Sequence, residues 1–109
     1  MATTPESINV AVEDTATTLY TAFTEGGATR GLLVYLHFCN TTDSDITMDV
    51  WHRDAANSVS RFLFEDETIP AKGTLDWSGV VVLANASETI KAQGSAHGVD
   101  CLGMVTENA

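Results

Sequence analysis

The sequence predicts an all-β protein, a jelly-roll-like antiparallel β-sandwich forming a single domain, and three observations carry that prediction. Apolar and polar residues alternate along most of the chain, the period of strands with one buried face. No segment places apolar residues at i, i+3, i+4 and i+7 over the length of a three-turn helix. Turn-forming residues recur at short intervals and divide the 109 residues into about nine short strands, the spacing of two packed antiparallel sheets.

Ile8, Val10 and Val12 alternate with Asn9 and Ala11 and read as the first strand, closed by Glu13-Asp14. Residues 1–6 before it read as a loose N-terminal arm, and residues 7–109 as the sandwich domain. Thr17–Phe23 forms a second strand, ended by the turn residues Glu25-Gly26-Gly27. Arg30–Asn40 is the longest strand. The segment Asn40-Thr41-Thr42-Asp43-Ser44-Asp45 is rich in side chains that hydrogen-bond their own backbone, which predicts a tight turn and a hairpin with Ile46–Arg53. Residues 54–57 form the next loop and Val59–Phe64 the next strand. Pro70-Ala71-Lys72-Gly73 turns the chain between Thr68-Ile69 and Thr74–Trp77. Val80–Leu83, an unbroken apolar run, reads as a buried strand. Thr89–Ser95 and Val99–Thr106 complete the set, joined through Ala96-His97-Gly98.

A chain of this length supports one core. No apolar run approaches the roughly 20 residues of a membrane-spanning helix, and the start, Met1-Ala2-Thr3-Thr4-Pro5-Glu6, has neither the basic nor the apolar region of a signal peptide. The expectation is a protein that folds where it is made. Fifteen acidic against five basic residues give a net charge of −10, which repels phosphate backbones and anionic lipid heads. Nucleic acid and membrane are therefore excluded as expected partners, and protein is favoured.

Cys39 and Cys101 allow at most one disulfide, and in a chain without a secretion signal they read as buried free thiols. Asn40-Thr41-Thr42 and Asn85-Ala86-Ser87 fit the glycosylation pattern, but without export they mark only polar loops.

If residue 40 pairs with 46, residues whose numbers sum to 86 face one another across the predicted hairpin. Phe38 then meets Met48, Leu36 meets Val50 and Val34 meets His52 on the core face. The other face pairs Tyr35 with Trp51, His37 with Asp49, Cys39 with Thr47 and Leu33 with Arg53. Its mixture of aromatic area and charge is the composition of protein interfaces, so Leu33, Tyr35, Asp49, Trp51 and Arg53 are the candidate interface residues.

The sequence carries no catalytic or cofactor motif. His37, Cys39, His52, His97 and Cys101 lack the local ligand pairs of a zinc site, and a His37–Asp49 cross-strand hydrogen bond accounts better for two of these residues. Asp43, Asp45 and Asp49 lack the glycine and terminal glutamate of a calcium-binding hand. No Gly-x-Ser-x-Gly elbow supplies a nucleophile beside His37 and Asp49, and Gly26-Gly27 leads into a strand where a phosphate cradle needs a helix. No metal, cofactor or enzymatic activity is expected. Trp51 or Trp77, if exposed to stack on a sugar, leaves a carbohydrate-binding module as an alternative.

The order of segments resembles small structural proteins of tailed bacteriophages. The resemblance rests on Thr18-Leu19-Tyr20-Thr21, the strand 30–40 ending in Asn40-Thr41-Thr42, Ile46–Trp51, Thr68-Ile69-Pro70-Ala71-Lys72-Gly73-Thr74-Leu75, and Val81-Val82-Leu83 with Glu88-Thr89-Ile90-Lys91-Ala92. It covers about residues 17–104. The sequence departs from the pattern at Ala84-Asn85-Ala86-Ser87, where many relatives carry Ala-Gly-Asp. The resemblance implies a virion β-sandwich made in the host cytoplasm, most simply a capsid decoration (cement) protein on the outside of the head, bound to the major capsid protein. A tail or neck accessory protein is the alternative within the same group. Threefold and quasi-threefold positions of a capsid favour a homotrimer, with Trp51 near the axis and Arg53 pairing with Asp49 of a neighbour.

Overall fold

The computed structural model describes residues 3–54 and 59–108, and it is a jelly roll. Eight strands run in chain order: β1 (Thr3–Val12), β2 (Thr17–Thr21), β3 (Arg30–Asn40), β4 (Ile46–Asp54), β5 (Val59–Ile69), β6 (Thr74–Leu83), β7 (Thr89–Gly94) and β8 (Val99–Asn108). They form two four-stranded antiparallel sheets, ordered β1-β8-β3-β6 and β2-β7-β4-β5. First pairs with last, second with seventh, third with sixth and fourth with fifth, so the chain is one long hairpin rolled up. The rolling closes two seams, β3 on β8 and β4 on β7.

The fold class and sandwich architecture are those the alternation predicts. The predicted pieces 59–64 and 68–69 fuse into β5, and 74–77 and 80–83 into β6. Thr3–Glu6, which the sequence assigns to the arm, belong to β1 and pair with Val105–Asn108. Met1 and Ala2 lie outside the described residues, as do positions 55–57 of the predicted loop.

The predicted hairpin between β3 and β4 does not form. The two strands stand in opposite sheets, and residues 41–45 carry the chain across the sandwich. Asn40, fully buried, organises the crossing. Its Nδ2 donates to the carbonyls of Ser44 (2.8 Å), Ile69 (3.1 Å) and Pro70 (3.2 Å), and its Oδ1 accepts from the backbone N–H and hydroxyl of Thr42. Every polar atom of a buried amide must be partnered in this way.

The core lies between the sheets. Leu33, Leu36, Phe38, Met48, Val50, Ile69, Leu83, Ile90 and Val105 are buried there, with Trp77, Phe64 and Leu75 packed at its margin. In β3 the phase of the alternation slips at Val34, a bulge against β8, so that Leu33 and Leu36 both point inward and Tyr35 points out. Leu33 is therefore a core residue and cannot line an interface.

Candidate functional site

No cavity opens among the described residues, and the candidate site is a surface. The outer face of the β1-β8-β3-β6 sheet carries Leu102 and Met104 from β8, Tyr35 from β3, and Val80 and Val82 from β6, all exposed. Leu32, the register partner of Val82, is half-buried among them. Val80 is 65% exposed and Val82 and Leu102 each 50%, so Val80–Leu83 is covered on its inner face alone and is not the buried strand the sequence predicts. Among the described residues, only Arg30, Asp76 and Asp100 bring charge to this face.

At its middle the Tyr35 hydroxyl donates to Asp76 Oδ1 (3.1 Å), His37 Nδ1 meets the same oxygen, and the Tyr35 and His37 rings stack with centroids 6.5 Å apart. The His37 hydrogen bond, helped by Tyr35, holds the Asp76 carboxyl below the usual carboxylate range. Partial burial and that carboxylate push the Tyr35 hydroxyl up. His37 thus takes Asp76 as its partner, in place of the expected Asp49.

The sheet is about 34 Å long at roughly 3.4 Å per residue and about 19 Å wide for four strands, an area near 650 Å². That approaches the roughly 800 Å² per partner of a specific protein interface. Contiguous apolar patches of a few hundred Å² mark interaction sites.

The opposite face, on β2-β7-β4-β5, is mostly polar, with Phe62 exposed on it. Asp49, Trp51 and Arg53 lie there, so the five predicted interface residues never share a surface: Tyr35 faces one way, these three the other, and Leu33 is in the core. Trp51 is half-buried against Phe62, their ring centroids 6.0 Å apart at 54°. Asp49 Oδ1 accepts the backbone N–H of Asp66 (2.8 Å), which has a left-handed φ of 51° in a bulge of β5. Within the chain Asp49 is a bulge cap. Glu65, Asp66 and Glu67 are exposed beside it.

The remaining candidates are scattered. Cys101 is buried, and burial pushes its thiol up to about 12. Cys39, on the other side of the same sheet, is only half-buried, contrary to the expected burial of both thiols, and both are free. His52 Nε2 meets Glu88 Oε1 at 2.6 Å. Buried Glu88 also accepts the backbone N–H groups of Ala84 (3.1 Å) and Asn85 (2.7 Å), fixing the loop between β6 and β7. His97 Nδ1 meets Glu13 Oε2 at 2.7 Å, and this hydrogen bond, with Asp14 close by, raises the imidazole above its ordinary value. Glu13, Asp14 and His97 are the one group among the described residues whose potential ligand atoms converge, and all three are exposed. The apolar outer face was missed from the sequence because the bulge at Val34 and the edge position of β6 leave no mark in the alternation.

No protein-family profile matches the sequence, and no curated protein matches it. Solved structures do. A chain of the T13 viral particle of IBDV superposes with a TM-score of 0.61 at 8% identity, covering 96% of this chain and 31% of that one. The infectious bursal disease virus VP2 subviral particle gives 0.53 at 11% identity, covering 94% and 32%. A pentameric capsid protein isolated from metagenomic phage sequences gives 0.50 at 13% identity, covering 93% and 61%. This chain spans about a third of the length of the two IBDV chains and under two thirds of the phage protein. At these identities the likeness is one of fold, and it is to the jelly rolls of viral capsid proteins.

Proposed function

We propose that this chain is a structural protein of a virion, without catalysis, and that it decorates the outside of a phage head. The observation that carries the reading is an exposed apolar strip, Leu102, Met104, Tyr35, Val80 and Val82, on a sheet face with few charges in a jelly roll whose net charge is −10. The outer face of β1-β8-β3-β6 is the attachment surface in this reading, and the acidic remainder keeps the particles dispersed. A cement protein that binds only the expanded shell stabilises it by mass action. Likeness to capsid jelly rolls and the resemblance to small phage structural proteins support the same reading. The trimer expected around Trp51 would use the opposite face, where Asp49, Trp51 and Arg53 lie together and Tyr35 takes no part.

The test is co-sedimentation with expanded capsids that lack this protein. Wild type and Trp51→Ala bind, while Leu102→Asp with Met104→Asp does not. Copies per virion in the hundreds fit a capsid lattice; copies in the tens place the protein on the tail or neck. Failure of the wild type to bind capsids removes the decoration role.

A further inference from the structure

The sandwich has four edge strands, and three of them are blocked. β2 has five residues and a register break between Thr18 and Tyr20. β5 carries two bulges and the run Glu65-Asp66-Glu67. β1 contains Pro5 followed by Glu6. Short edges, bulges, prolines and charges are the devices that prevent strands of different molecules from pairing.

β6 is different. Its one charged residue, Asp76, is tied to His37. The register shift near Gly79 leaves Val80–Leu83 beyond it as a run of β-branched and aliphatic residues. Such a run has the sequence character of a strand buried on both sides, yet here it is an edge, with Val80 and Val82 largely exposed. A free strand edge is completed by another strand, and an antiparallel pair about a twofold axis makes the same segment its own complement.

We propose that Val80–Leu83 of β6 pairs antiparallel with the same segment of a second copy, joining two β1-β8-β3-β6 sheets into one of eight strands. A second copy fits because the segment brings no charge to the junction, where two molecules of net charge −10 would otherwise repel. The joined sheets also present their apolar outer faces side by side. A few paired residues bury well under the roughly 800 Å² per partner of stable complexes, so the dimer belongs to the weak, transient class. Salt screens the mutual repulsion and tightens it.

The test is sedimentation equilibrium of the pure protein from roughly 10 to 500 µM, a range that brackets weak association. It needs no capsid, so its outcome is independent of the virion role. The expected result is a monomer–dimer equilibrium strengthened by salt. Val80→Lys and Val82→Lys each weaken it about tenfold or more although they lower the net negative charge, and Phe62→Lys on the opposite face leaves it unchanged. Circular dichroism confirms that the variants fold, and amide exchange over residues 80–83 slows with rising concentration in wild type and Phe62→Lys but not in Val80→Lys or Val82→Lys. A wild type that stays monomeric throughout, a trimer, or a dimer that survives both lysines overturns the proposal.

Discussion

Glu107 and Tyr20 hold the two sheets together at one end of the sandwich. The Glu107 side chain on β8 is 1% exposed and accepts the hydroxyl of Tyr20 on β2. The same carboxylate accepts the backbone N–H groups of Thr24 (2.8 Å) and Glu25 (2.6 Å), so one buried charge anchors the start of the long β2–β3 connection. A carboxylate is the group that can accept three donors at a point where the backbone supplies no carbonyl.

Glu107→Ala leaves those donors without their acceptor. Each orphaned buried donor costs about 1–3 kcal/mol, and because water reaches the two loop amides the total expected is about 2–4 kcal/mol. Burial raises the Glu107 carboxyl, but the hydrogen bonds from Thr24, Tyr20 and Glu25 outweigh it and hold the group below the usual glutamate range. A carboxyl depressed on folding stabilises the protein above its unfolded pKa, near 4.3. That contribution is lost as pH falls through the folded value. Urea midpoints measured from pH 7 down to pH 3 should fall for wild type and fall less steeply for Glu107→Gln. Parallel slopes would remove this role.

Asp49→Ala tests the bulge cap on the far side of the sandwich. The Asp66 N–H is exposed, so water replaces the lost acceptor and the cost is about 0.5–1 kcal/mol. Thermal unfolding should register that loss, and the sedimentation behaviour of the variant should match wild type. A change of oligomeric mass with unchanged stability would return Asp49 to the interface role its sequence position implied.

The strand content was legible because side-chain alternation is a local property of the chain. The partner of each strand was not. Phe38 and Leu36 face the core from β3, and Met48 and Val50 face it from β4, and this inward pattern is the same whether the strands form a hairpin or cross from one sheet to the other. Only the long-range pairs β3·β6 and β4·β5 distinguish the cases. Leu33 was misplaced for a second reason. Between Gly31 and Leu36 every residue is apolar, so an extra residue at Val34 shifts the phase without any polar residue to reveal it. The outer-face residues Tyr35, Leu102 and Val82 come from three strands far apart in sequence, and their union is a consequence of the topology.

The two thiols should separate cleanly by reactivity. Cys101 is buried with its pKa pushed up to about 12, so little thiolate forms at pH 8. Iodoacetamide at that pH should add at most one label to the native protein, at Cys39. The second label, at Cys101, appears only in denaturant. Rapid native labelling of Cys101, read by mass spectrometry of the tryptic peptide, would contradict the packing of β8 against the core.

Gly103 is the tightest point of that packing, and its replacement tests the β3 bulge directly. Val34 inserts one residue into β3 opposite the step between Met104 and Val105, and this brings the β3 backbone down on β8. A Cβ at position 103 would lie 2.5 Å from the Tyr35 carbonyl oxygen and 2.9 Å from Leu36 Cδ2. Backbone cannot yield as a flexible side chain does, so Gly103→Ala forces the strands apart at a cost of about 2–4 kcal/mol, above the usual range for an added methyl in a core. Gly26→Ala is the matching control, since nothing lies within 4 Å of its added Cβ, and its effect should stay within about 0.5 kcal/mol. The difference between the two urea midpoints is the measurement. If Gly103→Ala unfolds at the wild-type midpoint, β3 and β8 do not approach as described, and the phase slip that turns Tyr35 outward onto the apolar face falls with them.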